Sequence, residues 1–272
     1  MKNVEQQVKA LIPKEWQEAF LNTQKDIVEF SFMTDGELPL TTSKAGGVGY
    51  IPKSMTFPVN PDGMPLSLLA QINFAEMPAL DPYPPHGLLA FYVDYYDDLI
   101  GADFDDYDNK NGYRVFYFES FHEESYSREE QAAMHEPYED EEKYPIVDTE
   151  LAMIPSLSKQ ILMTDSVEFE RAFQTGKYDF KGFDTYDDKY EPLMGFGTQL
   201  GGYPSFTQTD PREYLEDGKE KDILLFQLDS CFGRGQDWEI MWGDAGIGNF
   251  FISPEDLKAK NFEKVWYNWD CS

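Results

Sequence analysis

The sequence predicts a mainly β protein, close to the α+β margin, built from antiparallel sheets with an N-terminal helix and a few short packed helices. Aromatic and β-branched residues are concentrated in short segments bounded by glycine, proline, aspartate and asparagine, which is typical of strands. Long helices do not alternate regularly with these segments, so a parallel sheet of βαβ units is not expected. The phrase LLAQIN at residue 68 returns as LLFQLD at residue 224, which indicates an internal duplication.

The helices are predicted from apolar spacing and from end signals. Val4, Val8 and Leu11 recur at the spacing of one helix face, and Pro13 suits the start of a second helical segment. Three further starts have the pattern of a capping box, in which a polar side chain and a carboxylate three residues later each accept a hydrogen bond from a backbone amide. These pairs are Ser127 with Glu130, Asp165 with Glu168, and Ser253 with Asp256.

Five segments carry the strongest strand signal, because they are short and rich in aromatic and β-branched residues. In chain order they are GLLAFYVDYY, YRVFYFES, DILLFQLDS, NFFIS and KVWYNW. Two acidic stretches connect the predicted elements: residues 94–112, which begin at the end of GLLAFYVDYY, and residues 136–145. We expect both to be exposed loops with tyrosines packed at their bases.

The repeated phrase belongs to a longer pattern. Gly46-Gly47 precedes LLAQIN and Gly201-Gly202 precedes LLFQLD at nearly the same distance, and an aromatic pair follows each phrase. We interpret the chain as a single domain, residues 1–272, with pseudo-repeat units at approximately 40–120 and 195–270. Two similar β units of this kind pack together to bury faces that neither could bury alone.

A polar face recurs within the repeated phrase. Strand periodicity predicts that Leu69, Gln71 and Asn73 share one face, and that Leu225, Gln227 and Asp229 share the corresponding face. One interpretation is structural: each glutamine bonds the backbone of the glycine-rich segment before it, because buried amides need hydrogen-bond partners. The other is functional: the two polar faces line a cleft between the repeats and bind a ligand through Gln71, Asn73, Gln227 and Asp229.

The charge balance bears on partners and on compartment. The chain has 22 basic and 51 acidic side chains and a formal net charge of −29, so it would repel nucleic acid and anionic membrane. Acidity of this size favours solubility alone, which is the preferred interpretation, or attraction to a basic protein or a cation. No apolar run approaches a membrane span, and Cys231 and Cys271 are too few for a disulfide framework. We therefore predict a cytoplasmic protein with reduced thiols.

Three stretches, LLAQINFAEMP, LLFQLDS and WGDAGIGNFFISPEDL, resemble the YwqG-like family of uncharacterised bacterial proteins. The resemblance extends over most of the chain, from the AGGVGYIP segment to the C-terminus. It implies a mainly β fold with an internal duplication, and it implies neither an established activity nor catalytic residues. Members of such families occur beside secreted toxins as immunity proteins, so an immunity-like role is one implication of the resemblance.

Patterns typical of enzymes and metal sites are mostly missing from the sequence. His86, His122 and His135 do not have metal-ligand spacing, and the aspartate-rich loop at 94–112 does not fit the EF-hand pattern. Cys231 follows the second repeat directly, where a catalytic nucleophile is conceivable. An unpaired cysteine is usually buried, so a small core residue is the favoured interpretation. The sequence accordingly predicts no catalytic residue, no metal ligand and no cofactor.

One further stretch, WGDAGIG, places an aspartate beside a tryptophan before a predicted strand. Asp244 is suited either to capping the glycine-rich turn or to meeting a ligand next to the ring of Trp242. Turn capping is the favoured interpretation, and Trp242 and Asp244 are retained as candidate binding residues.

Together these observations predict a cytoplasmic acidic protein that binds a basic protein, and the family resemblance implies an immunity-like role. The alternative is an enzyme or small-molecule binder that uses a cleft between the two repeats. The sequence does not indicate an oligomeric state.

Overall fold

A computed structural model describes residues 4–163, 166–174, 188–214, 220–232, 235 and 237–272. Within these ranges the α-helices are α1 (Val4–Leu11), α2 (Lys14–Leu21), α3 (Arg128–His135), α4 (Val167–Gln174) and α5 (Pro254–Ala259). The strands are β1 (Lys25–Met33), β2 (Lys44–Ala45), β3 (Ser67–Asn73), β4 (Leu88–Val93), β5 (Tyr113–Phe118), β6 (Leu151–Gln160), β7 (Gln199–Leu200), β8 (Ile223–Asp229), β9 (Cys231–Phe232), β10 (Glu239–Ile240), β11 (Ile247–Ile252) and β12 (Trp266–Asp270). The mainly β prediction is confirmed.

One antiparallel sheet dominates the fold. Its ten strands lie in the order β5-β4-β3-β2-β6-β1-β7-β8-β11-β12, and β9 and β10 form a separate pair. The strands of the first predicted repeat unit (β2 to β5) lie on one side of the central β6-β1 pair, and β7, β8, β11 and β12 of the second predicted unit lie on the other. All five segments predicted as strands fall in this sheet.

The sheet curls so that its two halves share a core. Phe91 on β4 meets Phe226 on β8 and Phe250 on β11, with ring centroids 4.9 and 4.6 Å apart. At the edges of the sheet, the rings of Tyr113 on β5 and Tyr267 on β12 are 5.2 Å apart. Aromatic pairs at these separations add to the stabilisation from burial. The inner face of the sheet is therefore filled by packed side chains. A ligand or partner would have to bind at the loops or at the outer faces.

A β-bulge at the same place in both repeats corrects the predicted strand faces. The register shifts between Leu68 and Ala70 on β3, and the pairing partners on β8 shift between Leu224 and Phe226. A bulge inserts one extra residue and so reverses the alternation beyond it. Leu69 and Leu225 consequently lie in the shared core, on the face opposite the glutamines.

Helices α1, α2 and α4 share one apolar cluster, whereas α5 packs on the shared core and α3 on a third cluster. Val8 of α1 and Phe20 of α2 are buried in a second apolar cluster with Ile161 and Phe169, as expected for an N-terminal helical segment. The capping box of Ser127 and Glu130 is present at α3. At α5 the Ser253 hydroxyl accepts a hydrogen bond from the Asp256 amide, while Asp165 lies outside the described residues.

No helix within the described ranges has the length and apolar character that crossing a membrane requires.

Candidate functional site

The side chain of Gln71 bonds the backbone of its own repeat. Its Oε1 accepts from the Tyr50 amide at 2.9 Å, and its Nε2 donates to the carbonyls of Leu40 and Thr42 at 2.7 and 2.9 Å. The residue is fully buried. These hydrogen bonds tie the glycine-rich segment to β3, which is what the structural interpretation of Gln71 predicts.

Gln227 makes the same set of bonds in the second repeat. Its Oε1 accepts from the Ser205 amide at 2.8 Å, and its Nε2 donates to the carbonyls of Gly195 and Gly197 at 3.0 and 2.7 Å. Because the shared core lies on the other face of β3 and β8, each glutamine points into its own outer layer. The structure thus does not bring Gln71 and Gln227 together, and their role as ligand contacts stays a prediction that these bonds do not support.

The paired glycines allow this arrangement. Gly46 and Gly201 have positive φ angles of 67° and 71°, a region that side-chain-bearing residues rarely adopt. A Cβ atom on Gly46 would lie 2.3 Å from the carbonyl oxygen of Thr149. The glycines therefore serve a tight turn that presents backbone groups to the glutamines.

Asn73 and Asp229 occupy matching positions but differ in charge. Asn73 donates from Nδ2 to the Thr41 carbonyl at 3.0 Å, whereas the Asp229 carboxylate accepts from the Gly197 amide at 2.6 Å. Burial raises the pKa of Asp229 to about 6, against the effect of its backbone hydrogen bonds. A carboxylate whose pKa rises on folding makes the folded state less stable once it ionises.

We expect Asp229→Asn to stabilise the protein at pH 8 and to leave it nearly unchanged at pH 4. The folded protein retains the Asp229 proton up to about pH 6 while the unfolded chain releases it near pH 4, so wild-type stability falls through this window. Discounted for partial exposure, the gain at pH 8 is about 1–2 kcal/mol. Urea denaturation at both pH values measures it, with the exposed Asp35→Asn as control. An equal effect of Asp229→Asn at both pH values would contradict this prediction.

Trp242 and Asp244 differ in solvent exposure. The Trp242 ring is fully buried, stacks on Trp269 at 5.9 Å, and passes so close to Gly248 that a Cβ there would lie 2.3 Å away. Asp244 is exposed on the turn before β11, and its carbonyl accepts from the Ser272 amide at 3.5 Å. Trp242 is thus a core residue, and a role of Asp244 in binding stays a prediction.

Two acidic loops, far apart in sequence, lie side by side. The amide of Tyr144 donates to the carbonyl of Tyr95 at 2.7 Å, and the Tyr96 hydroxyl lies 3.0 Å from Nδ1 of His135. The ring of Tyr138 packs edge-on against Tyr96 at 5.9 Å. The expected packing of tyrosines at the loop bases is therefore present, and it joins the loops into one surface.

We call this surface, formed by residues 94–109 and 136–144, the acidic face. Its exposed carboxylates belong to Asp98, Asp105, Asp106, Asp108, Glu136, Glu139, Asp140, Glu141 and Glu142. Among them lie exposed apolar and aromatic side chains: Leu99 is 43% exposed, Phe104 41% and Tyr144 37%. A surface that combines apolar side chains with a charged surround is typical of a binding site.

A groove of about 580 Å³ opens on the acidic face. Carboxylates of Asp62, Asp97, Asp103 and Asp105 line it, together with Leu99 and Phe104. Burial raises the pKa of Asp97, whereas the Asn109 side chain and two backbone amides lower the pKa of Asp103. Backbone hydrogen bonds of this kind hold the loop in shape and fix the positions of its carboxylates.

The groove does not have the arrangement of a metal site. Over the residues that the structure describes, no group of three or more histidine, cysteine, aspartate or glutamate side chains could hold a metal ion. Ca²⁺ takes six to eight oxygen ligands, whereas the Asp97 and Asp103 oxygens are engaged by the loop itself.

Neither Cys231 nor His135 has the surroundings of a catalytic group. Burial and the neighbouring Asp229 carboxylate raise the pKa of the Cys231 thiol, which is opposite to what a nucleophilic cysteine requires. Burial lowers the pKa of His135, so that the ring next to Tyr96 favours the neutral form.

A cleft at the junction of the two repeats is lined by residues other than those predicted. It encloses about 420 Å³ between Leu80 and Tyr83 of the first unit and Gly201, Gly202 and Leu224 of the second. The Tyr83 hydroxyl donates to the carbonyls of Leu224 and Leu225 at 2.6 and 3.1 Å. Sequence patterns did not indicate these lining residues, because the loop that carries Tyr83 has no strand or helix periodicity.

The fold and the site together define a mainly β protein whose curled antiparallel sheet carries a carboxylate-lined groove on paired loops. The chain belongs to the family described as Domain of unknown function (DUF1963), whose model matches residues 43–271. No curated protein matches the chain. The family assignment brings no activity with it, so function has to be argued from the geometry.

Proposed function

We propose that this protein binds a basic protein in the cytoplasm and that the acidic face is the binding surface. The observation that carries the proposal is the packing of two acidic loops into one surface with exposed Leu99, Phe104 and Tyr144 at its apolar positions. Carboxylates attract and orient lysine and arginine side chains, while apolar groups supply the contact area that such a complex needs. The groove beside Asp97 and Asp103 has room for a basic side chain.

An immunity-like role toward a basic toxin is the specific form of this proposal. Neutralising a basic partner requires rapid association, and a strong opposite field raises the association rate. The net charge of −29 supports such steering.

Affinity capture from lysate of the source organism, at about 0.05 M and about 0.5 M salt, is the first experiment. A stoichiometric basic protein released at high salt identifies the partner. The purified partner is then titrated against the triple variant Asp98→Asn, Asp105→Asn and Glu141→Gln. We expect binding to weaken about tenfold, because each exposed charge contributes about 0.5 kcal/mol.

The matched control is Glu15→Gln with Glu18→Gln and Glu255→Gln, which removes the same charge from exposed positions outside the acidic face. We expect this variant to bind within about twofold of wild type, because distant exposed charges are screened. Equal losses in the two triple variants, or a complex that persists unchanged at high salt, would overturn the proposal.

An alternative function is binding of a small molecule, with or without catalysis, in the cleft between the repeats. The volume of the junction cleft supports it. The hydrogen bonds of Gln71 and Gln227 to the backbone of their own repeat units do not. Alanine variants of these glutamines test the alternative as the sequence predicts it, which requires loss of ligand binding in a protein that remains folded. They do not test the junction cleft itself, which neither glutamine lines.

We also infer that the two repeat units arose by duplication and that the chain is a YwqG-like member of its family. The matching hydrogen bonds of Gln71 and Gln227 and the matching bulges at Leu69 and Leu225 support the duplication. The three sequence stretches quoted for the resemblance support the YwqG-like assignment.

A further inference from the structure

A second pocket lies where the two edges of the curled sheet meet. It encloses about 600 Å³ between edge strand β5 and the turn at residues 262–265 that precedes β12. At one end the Lys110 ammonium and the Tyr113 hydroxyl both donate to the Val265 carbonyl, at 2.6 and 3.0 Å. These bonds close the edge there, and the pocket remains open beside them. We call it the seam pocket.

Cations gather at the seam pocket although acidic residues greatly outnumber basic ones in the chain. Lys110, Arg114 and Lys264 line it, and Lys221 donates to the Lys264 carbonyl at 2.7 Å. Within the described ranges none of the four forms a salt bridge, whereas the buried Lys44 and Arg212 bond carboxylates at 2.8 and 2.5 Å.

Two carboxylates also line the pocket, and neither pairs with its cations. The Asp108 carboxylate accepts from Nε1 of Trp266 at 3.0 Å, and Glu263 is exposed. The lining therefore has an excess of positive charge, opposite in sign to the molecule as a whole.

Arg114 has the greatest unused capacity for hydrogen bonding. A guanidinium group has five N–H donors, and Nη1 of Arg114 donates to the Tyr113 carbonyl at 2.7 Å. Its other donors have no acceptor among the described residues. Burial lowers the pKa of Arg114 and that of Lys110, the latter to about 8 against the opposing effect of the nearby Asp108 carboxylate.

The remaining walls are apolar. Val115, Phe116 and Phe262 line the pocket, and the Phe262 ring packs against Tyr117 at 5.0 Å. Binding pockets for small molecules are mostly apolar, with a few polar groups that fix the orientation of the ligand.

We propose that the seam pocket binds an organic anion: an oxyanion, either phosphate or carboxylate, held by Arg114 and Lys264 and attached to an aromatic or aliphatic group that packs on Phe116 and Phe262. An arginine fork matches the geometry of both oxyanions and bonds them through two parallel N–H donors. This site adjoins the acidic face at Asp108, but the groups proposed to hold the anion, Arg114 and Lys264, lie outside that face, so neither proposal depends on the other.

Isothermal titration calorimetry with the full chain tests the pocket with four probes: phenyl phosphate, 3-phenylpropionate, inorganic phosphate and benzyl alcohol. We expect one of the two aromatic anions to bind at least tenfold more tightly than inorganic phosphate and benzyl alcohol do. This ratio corresponds to a difference of about 1.4 kcal/mol in binding free energy. The preferred anion distinguishes a phosphate ligand from a carboxylate ligand. Absence of binding by both aromatic anions would overturn the proposal.

Variants locate the binding. Arg114→Gln is expected to weaken the aromatic anion about tenfold or more, while Lys258→Gln, which removes the same charge from exposed α5, leaves affinity unchanged. Equal weakening by both variants would show a long-range charge effect and would overturn the site. If Arg114→Gln does not fold, Lys264→Gln replaces it, because the Lys264 side chain is exposed.

Discussion

Gln227→Ala is expected to lower the free energy of unfolding by about 3–5 kcal/mol. The substitution leaves the carbonyls of Gly195 and Gly197 and the amide of Ser205 without the partner that the side chain provides. A buried polar group without a partner costs about 1–3 kcal/mol, and the bonds to the Ser205 amide and the Gly195 carbonyl are buried. Gln71→Ala is expected to have a similar effect, because Gln71 makes the corresponding bonds.

Urea denaturation, followed by tryptophan fluorescence, measures this loss. Gln208→Ala is the matched control, since Gln208 is exposed and donates one hydrogen bond to the Cys271 carbonyl. We expect its effect to be within about 0.5 kcal/mol. If the Gln227→Ala protein is as stable as the Gln208→Ala control, the structural role of Gln227 is contradicted. That result would favour a role in binding a ligand.

Arg212→Met is expected to destabilise the protein by about 3–5 kcal/mol, because it leaves buried carboxylates without their cation. The guanidinium of Arg212 is 1% exposed and bonds Glu168 at 2.9 Å and Asp210 at 2.5 Å. It also lies 4.4 Å from the ring centroid of Phe251. Asp210 accepts in addition from the Val167 amide at the start of α4, so the loss extends to that helix.

Removing the carboxylates together with the cation separates charge from packing. We expect Arg212→Met combined with Asp210→Asn and Glu168→Gln to recover part of the lost stability, because no unpaired buried charge remains. Lys159→Met is the control, since it breaks an exposed ion pair with Asp26 and should cost less than about 1 kcal/mol. If the triple variant is no more stable than Arg212→Met, uncompensated charge is not the cause.

Much of the fold could be predicted from the sequence, and the strands that were not predicted were missed for physical reasons. Strands rich in aromatic residues were found because both of their faces are buried, as in β4 and β11. The central strands β1 and β6 were missed because both are partly exposed and β6 contains Pro155, a residue usually confined to edges. Pairing across distant parts of the chain overrides these local signals.

The candidate site was less predictable than the fold. The two acidic loops were evident from composition, but the contact between Tyr95 and Tyr144 that joins them depends on tertiary structure. Similarly, Arg114 and Lys264 are far apart in sequence and meet only because the sheet curls. The role of the repeated glutamine could be predicted because its hydrogen-bond partners lie within its own repeat unit. Its distance in sequence from the glycine-rich segment is nearly the same in both units.

The position of β1 bears on where this protein can be divided. β1 pairs with β6 from Lys25 to Met33 and with β7 on its other side, so it joins the two halves of the sheet. The family match begins at residue 43, after this strand. A fragment trimmed to the match would leave β6 and β7 with exposed, unpaired backbone groups, which are templates for aggregation. The minimal folding unit of this protein thus begins upstream of its family match.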